Sequence, residues 1–307
     1  MTIEQFHGIV YTFYIVIFIY IIIDAWFGIP KKGEIHMLQK SIFYQHLADC
    51  KESLCPIIGV GVGSGLSARA AELGRADFLA TYHTAMYRMH GLPTVLSFLP
   101  YSDCNKMVLE GLATIRCNVK NIPLLAGLGA HDPRTDVSTL VKKALDKGAD
   151  GIVNEPFCGS YGTMIRQGLE QCGLGFKREY EMIKAAINQG TLALGWAHSL
   201  EEAVMLAAAG TPLIGLIIDA NTLSSDILPC TNQIIEYIDH IVAETLKENP
   251  AASILLHGKY VDNYDSAQYI ISHSLADGCF TGSHGERIPT ENAITNTVLK
   301  YKGMYPN

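Results

Sequence analysis

The chain has 307 residues, 49% of them hydrophobic and 17% charged, and a formal net charge of −7. That is enough apolar material for a full core and too few charges for a disordered chain, and the acidic balance argues against a nucleic-acid backbone as partner. A single barrel-sized domain takes roughly 250 residues, so the length does not demand a second globular domain.

The first 36 residues differ from all that follow. Ile9 to Ile23 is an apolar run broken only by Thr12, and from Phe6 it reaches the length of a short membrane span. No basic residue precedes it, as a secretory signal would require, while Lys31 and Lys32 follow it and would hold the remainder on the cytoplasmic side. Residues 1–36 are therefore set apart from the domain at 37–307. Three readings stay open for them: a membrane anchor over residues 9–29, a mis-started leader, or a helix packed on the domain.

From Pro56 onward, short apolar runs alternate with amphipathic stretches. Ile57–Gly61, Asp77–Tyr82, Ile122–Leu128, Gly151–Asn154, Thr191–Trp196, Leu213–Ile218, Ser253–Leu256 and Gly278–Thr281 read as buried strands. Between them, Leu66–Leu73 stops at Gly74. Val137, Leu140, Val141, Ala144 and Leu145 form one helical face that ends at Gly148. Ser199-Leu-Glu-Glu202 is a capping box ahead of Val204–Ala209, closed by Gly210. Eight strand–helix units with no switch in pattern predict a parallel sheet closed into a (β/α)8 TIM barrel rather than an open Rossmann sheet.

Eight cysteines are scattered with no Cys-x-x-Cys pair. Zinc and redox motifs usually show tighter spacing, so these read as separate reduced thiols of a cytoplasmic protein.

In a barrel of this kind the chemistry sits at the C-terminal strand ends. Gly61, Gly63, Ser64 and Gly65 run from the first strand into a helix and suit an anion held by backbone N–H groups. Tyr82 and His83 end the second strand, and Arg88, His90 and Leu99–Asp103 lie in a long connection with the length of a functional lid. His131 and Asp132 follow the third strand, Glu155 the fourth, His198 the fifth, Asp219 and Asn221 the sixth, and His257 and Gly258 the seventh. After the eighth come Gly282, Ser283, Gly285 and Arg287, where the fold commonly builds a phosphate pocket; Arg287 could instead pair with Glu286 or Glu291. Three carboxylates, Asp132, Glu155 and Asp219, suit a hard cation such as Mg²⁺, and no histidine pair spaced for zinc accompanies them.

Several of these segments resemble one family. Pro56–Ala68, Arg88-Met89, Leu99-Pro-Tyr101 with Asp103 and Asn105, Asp132-Pro133, His257-Gly258 and Glu286–Glu291 together look like the phosphoenolpyruvate hydrolase-like family, also labelled TIM-barrel signal transduction proteins. The likeness runs from about Leu38 to the end and leaves the apolar N-terminus outside. The family is grouped by fold with the phosphoenolpyruvate mutases and isocitrate lyases, so the resemblance implies C–C, C–P or P–O chemistry on an enolate-type substrate with Mg²⁺. This chain departs from the family pattern at Glu155–Cys158, Asp219–Asn221 and Lys259-Tyr260.

The expectation is thus a Mg²⁺-assisted lyase or hydrolase acting on a small carboxylate or phosphorylated oxyacid. Asp132, Glu155 and Asp219 would hold the metal, and His257 or His131 would move a proton. Gly61, Gly63, Ser64 and Tyr82 with Gly258, Gly282, Ser283 and Arg287 would hold substrate, and Arg88 would close over it. The rival is a non-catalytic regulatory or protein-binding barrel, since one branch of the likeness includes plant antiviral proteins. Exposed apolar helix faces and the Tyr260–Tyr269 segment point to a homo-oligomer.

Overall fold

The computed structural model describes residues 32–218 and 231–304. The apolar stretch at 9–29 lies outside them, as do Asp219, Asn221 and Cys230. No helix among the described residues is long and apolar enough to cross a membrane.

Helix α1 (Lys32–Glu52) belongs from Phe43 onward to the compact unit that runs to the C-terminus. The unit continues as β1 (Ile57–Gly61), α2 (Gly65–Leu73), β2 (Phe78–Thr81), α3 (His83–Met89), α4 (Cys104–Arg116), β3 (Leu124–Gly127), α5 (Val137–Asp146), β4 (Gly151–Val153), α6 (Thr163–Gln171), α7 (Phe176–Asn188), β5 (Leu192–Ala197), α8 (Leu200–Ala208), β6 (Leu213–Ile217), α9 (Thr231–Glu248), β7 (Ser253–His257), α10 (Tyr264–His273), β8 (Gly278–Thr281) and α11 (Arg287–Lys302). All eight strands fall where the apolar runs place them. They pair in parallel and in sequence order, and β8 closes back on β1 with Ile57 opposite Gly278.

The two-residue strand period sorts the core into two layers. Phe78, Ala80, Leu125, Val153, Leu194, Trp196, Leu255 and Phe280 point into the barrel, while Leu79, Leu124, Ala126, Ile152, Ala193, Ile254 and Leu256 pack under the helices. The interior is filled by large rings, which two glycines accommodate: a side chain at Gly59 would collide with Phe78 and Phe280, and one at Gly215 with Trp196. Phe43 and Leu47 of α1, 5% and 4% exposed, complete the inner layer, with the Phe43 ring edge-on to Phe78 at 6.2 Å.

A recurrent polar device fixes strand starts. Ala76-Asp77, Ala149-Asp150 and Ala276-Asp277 immediately precede β2, β4 and β8. Each aspartate accepts a backbone N–H from the start of the preceding strand: Ile58 at 2.6 Å, Leu124 at 2.9 Å and Ile254 at 2.7 Å. A buried-edge N–H that would otherwise lack a partner is thereby satisfied, and the register of each pair is set.

Helix ends follow the local sequence. Ser64 and Ser67 cap α2 reciprocally, Asp136 caps α5, and Gly148, at φ 101°, ends the turn after α5. Ser199 accepts the Glu202 N–H, but the Glu202 carboxylate reaches back to His198 N–H, one residue beyond a standard box, and also pairs with Arg166. The connection between β2 and β3 differs from the expected lid. It folds into α3, a 3-10 turn over Thr94–Phe98 and α4, because Asp103 caps α4 and the Thr84 and Ser97 hydroxyls join the turn to α3 at 3.1 Å. Arg88 therefore sits on a helix at 6% exposure rather than on a mobile loop.

Candidate active site

Residues that end β2, β4, β5, β7 and β8 converge at the C-terminal face. Tyr82, buried just past β2, occupies the space left by Gly61, where any side chain would collide with its hydroxyl. The Tyr82 hydroxyl accepts from Arg88 Nη2 at 3.1 Å, and the Arg88 guanidinium lies 5.5 Å from the ring centre. Arg88 Nε is buried with no hydrogen-bond partner. Two carboxylates, Glu155 and Glu286, lie near enough for their charge to act on Arg88, and neither is within ion-pair distance of it among the described residues.

Glu155 follows β4 and precedes Pro156 through a cis peptide bond. Gly127 at the end of β3 has no side chain, which leaves room for Tyr82 and Glu155 on either side. Thr84 Oγ1 donates to Glu155 Oε1 at 3.1 Å. One hydroxyl does not replace lost hydration, so burial pushes the Glu155 carboxyl up to about 7, against smaller opposing effects from Thr84 and Arg88. Beneath it, Asn154 links strands by accepting the Trp196 N–H at 2.7 Å and donating to Glu179 at 2.7 Å. Glu179 on α7 also holds the Cys158 N–H, and burial pushes its carboxyl to about 7 as well.

His257 ends β7 with its ring 5.2 Å from that of Trp196 and its Nδ1 2.8 Å from the Phe280 carbonyl. A carbonyl accepts only, so Nδ1 carries the proton and Nε2 keeps its lone pair. Burial lowers the His257 pKa and holds the ring neutral. Gly282 lies against both sides of this group, since a side-chain carbon there would stand 3.4 Å from Arg88 Nη1 and 3.4 Å from His257 Cε1. Gly258 takes φ 113°, a backbone region that a side chain strains.

The glycine-rich turn after β1 is already occupied by a carboxyl group of the chain, whose pKa burial raises. Glu286 Oε1 accepts from the Gly63 N–H and from Ser67 Oγ at 2.6 Å, while Ser64 is spent on the helix cap. Glu286 is 2% exposed and its Oε2 has no partner. One further expectation is corrected by a partner that the fold supplies. Arg287 pairs with Glu291 one helical turn on, at 3.2 Å, and not with an anion pocket. Ser283 is half-buried and its carbonyl accepts the Ile288 N–H at the start of α11.

Asp132 faces Arg134 on both oxygens, at 2.8 Å and 2.7 Å, and this guanidinium holds its carboxyl down at about 2. His131, with its ring 6.1 Å from Tyr161, has a buried Nδ1 without a partner, and burial lowers its pKa. His83 lies inward as a structural group: its Nε2 donates to the Ser97 carbonyl at 2.8 Å, and burial takes its pKa to about 4. The structure thus unites Tyr82, Arg88, Glu155, His257 and Gly282, and adds Thr84, Trp196 and Glu286, which sequence reasoning did not place in the site. Asp219 lies outside the described residues.

A barrel with polar strand ends defines the class, and comparison with known proteins gives the family. Residues 43–304 match the model of the phosphoenolpyruvate hydrolase-like family, and the chain belongs to that family. Among curated proteins, the ToMV susceptible protein tm-1 of Solanum lycopersicum is 33% identical over 273 residues, and the ToMV resistance protein Tm-1 of the same plant is 32% identical over 271 residues. Each alignment takes in 87% of this chain and 36% of the relative, so the chain spans about a third of the length of these curated relatives. Among solved structures, a phosphonopyruvate hydrolase in complex with oxalate and Mg²⁺ superposes with a TM-score of 0.55 at 16% identity, covering 85% of this chain and 87% of that one. A phosphoenolpyruvate phosphomutase from Streptomyces platensis subsp. rosaceus gives 0.55 at 14% identity, with 84% and 88% covered. These likenesses establish the barrel fold.

Proposed function

We propose that this barrel is an enzyme that binds a small carboxylate or phosphorylated oxyacid and acts on it as a lyase or hydrolase. The observation that carries this reading is Arg88: a buried guanidinium with an unpartnered Nε, faced by two carboxylates that it does not pair with. A buried cation in this state costs stability unless an anion completes its hydrogen bonds, and a planar oxyanion matches its fork. Beside it, neutral His257 offers a lone pair on Nε2 for proton abstraction, and Glu155, near half-protonation at neutral pH, can take or return a proton. Trp196 and Tyr82 exclude water around the reacting centre.

Glu155 is also the described carboxylate best suited to Mg²⁺, because it is buried and compensated by a single hydroxyl. Asp132 fits only after releasing Arg134, and Mg²⁺ ordinarily keeps one or two protein carboxylates and several waters. Bound there, the ion would supply charge stabilisation to a developing oxyanion on the substrate. The proposal includes self-association through α11, on which Ile294, Val298, Leu299 and Tyr301 are exposed.

The test is a thermal-shift screen of oxalate, phosphoenolpyruvate and 3-oxoacids, with and without Mg²⁺, on wild type and Arg88→Met. Stabilisation grows as RT ln(1 + [L]/Kd), so weak ligands register in excess. A shift in wild type that vanishes in Arg88→Met supports the site, and turnover of the stabilising acid establishes the enzyme. An equal shift in both proteins, or none in either, removes the assignment; binding without turnover would favour the regulatory barrel.

A further inference from the structure

At the opposite end of the barrel, three metal-binding side chains meet, beside a second cysteine on the same turn, where the cysteine spacing suggests separate thiols. Helix α1 ends in a Schellman turn: Leu54 takes φ 54°, the Cys55 N–H donates to the Cys50 carbonyl at 2.9 Å, and the Leu54 N–H to that of Lys51 at 3.3 Å. This turn sets the side chains of its first and last residues against each other, a contact usually made by two apolar groups. Here they are Cys50 and Cys55, both free thiols. His46 lies one helical turn before Cys50, with Nε2 3.7 Å from Cys50 Sγ and 2.6 Å from Asp77 Oδ1. His46 Nε2, Cys50 Sγ and an Asp77 oxygen all lie within 4.8 Å of one another.

We infer that His46, Cys50 and Asp77 bind Zn²⁺, with Cys55, on the same turn, swinging in as the fourth ligand when the ion is present. Two thiolates, an imidazole and a carboxylate make a closed four-coordinate set of the kind zinc takes in structural sites, whereas Mg²⁺ and Ca²⁺ select oxygen donors alone. The carboxylate is already oriented, because Asp77 Oδ2 accepts the Ile58 N–H at 2.6 Å while Oδ1 faces His46. On binding, the two thiol protons leave and the imidazole proton moves to Nδ1, freeing Nε2 for the metal. The ion would join the end of α1, whose Phe43 and Leu47 complete the inner core, to the strand start that Asp77 holds. The site is independent of the Arg88 pocket.

The experiment loads full-length chain with Co²⁺ as a spectroscopic probe, and separately measures zinc retained after purification in a non-chelating reductant. Zinc retained at one ion per chain and a thiolate-to-cobalt charge-transfer band are expected. The band should be lost in Cys50→Ser, Cys55→Ser and His46→Ala and kept in Cys117→Ser, whose thiol is exposed elsewhere. Cys55 and His46 are exposed, so their variants should keep the far-UV circular dichroism of wild type, and chelation should lower the melting temperature of wild type alone. A cation bound only at the C-terminal face would give no thiolate band. Absence of the band, its persistence in Cys55→Ser, or a Cys50–Cys55 disulfide that excludes metal under reducing conditions would each overturn the inference.

Discussion

Glu155 shows at the scale of one residue how burial creates chemistry. Its pKa is raised to about 7 in the folded chain from 4.5, so its contribution to stability is full below about 4.5 and is lost as pH rises through about 7. Glu155→Gln removes that dependence: the variant should melt close to wild type at pH 5 and higher than wild type at pH 8, by an amount worth a few kcal/mol. A pH series of melting curves checks this, and parallel curves for the two proteins would contradict it. Tyr82 and Gly61 yield a second expectation. Gly61→Ala must displace the Tyr82 hydroxyl and with it the Arg88 contact, costing about 1–3 kcal/mol in denaturant titrations. The sequence shows which residues reach the C-terminal face, because strand alternation and position dictate it. It does not show which oxygen meets which donor. Asp132 finds Arg134 two residues on, Glu286 fills the cradle after β1 from over two hundred residues away, and Arg88 is drawn from an apparent loop into a helix.

At the scale of elements, apolar period and terminators locate every strand within a few residues, since a parallel strand buried on both faces has to be a continuous apolar run. The Ala-Asp starts are equally visible in the sequence but carry no meaning until the ladder shows which N–H each receives. Asp277→Ala should therefore cost about 1–3 kcal/mol by leaving the Ile254 N–H unpaired, and Asp277→Asn, which keeps an acceptor oxygen, markedly less. Chemical denaturation of the two variants separates the lost hydrogen bond from the lost charge beside Lys51. The pairing of Cys50 with Cys55 on one turn is hidden for a related reason. A spacing of five falls outside the Cys-x-x-Cys rule, yet a helix-ending turn joins the two residues by a backbone hydrogen bond.

At the scale of the whole molecule, α11 has no buried residue and presents Ile294 at 61%, Val298 at 52% and Leu299 at 62% exposure. A surface of this kind is covered in most stable proteins. Sedimentation should find the chain self-associated, and Val298→Glu with Leu299→Glu should shift it towards monomer without lowering its helix content. A monomeric wild type at micromolar concentration would contradict this.

The aspartate links also bear on how the chain folds. They join residues 19, 26 and 23 positions apart, whereas the final closure brings Ile57 to Gly278 across most of the sequence. Closing a short loop costs less entropy than closing a long one, so three strand pairs have an early, locally secured register and the ring seam must wait for them. In pulsed hydrogen exchange during refolding, the Ile58, Leu124 and Ile254 amides should gain protection before the amides that pair β8 with β1.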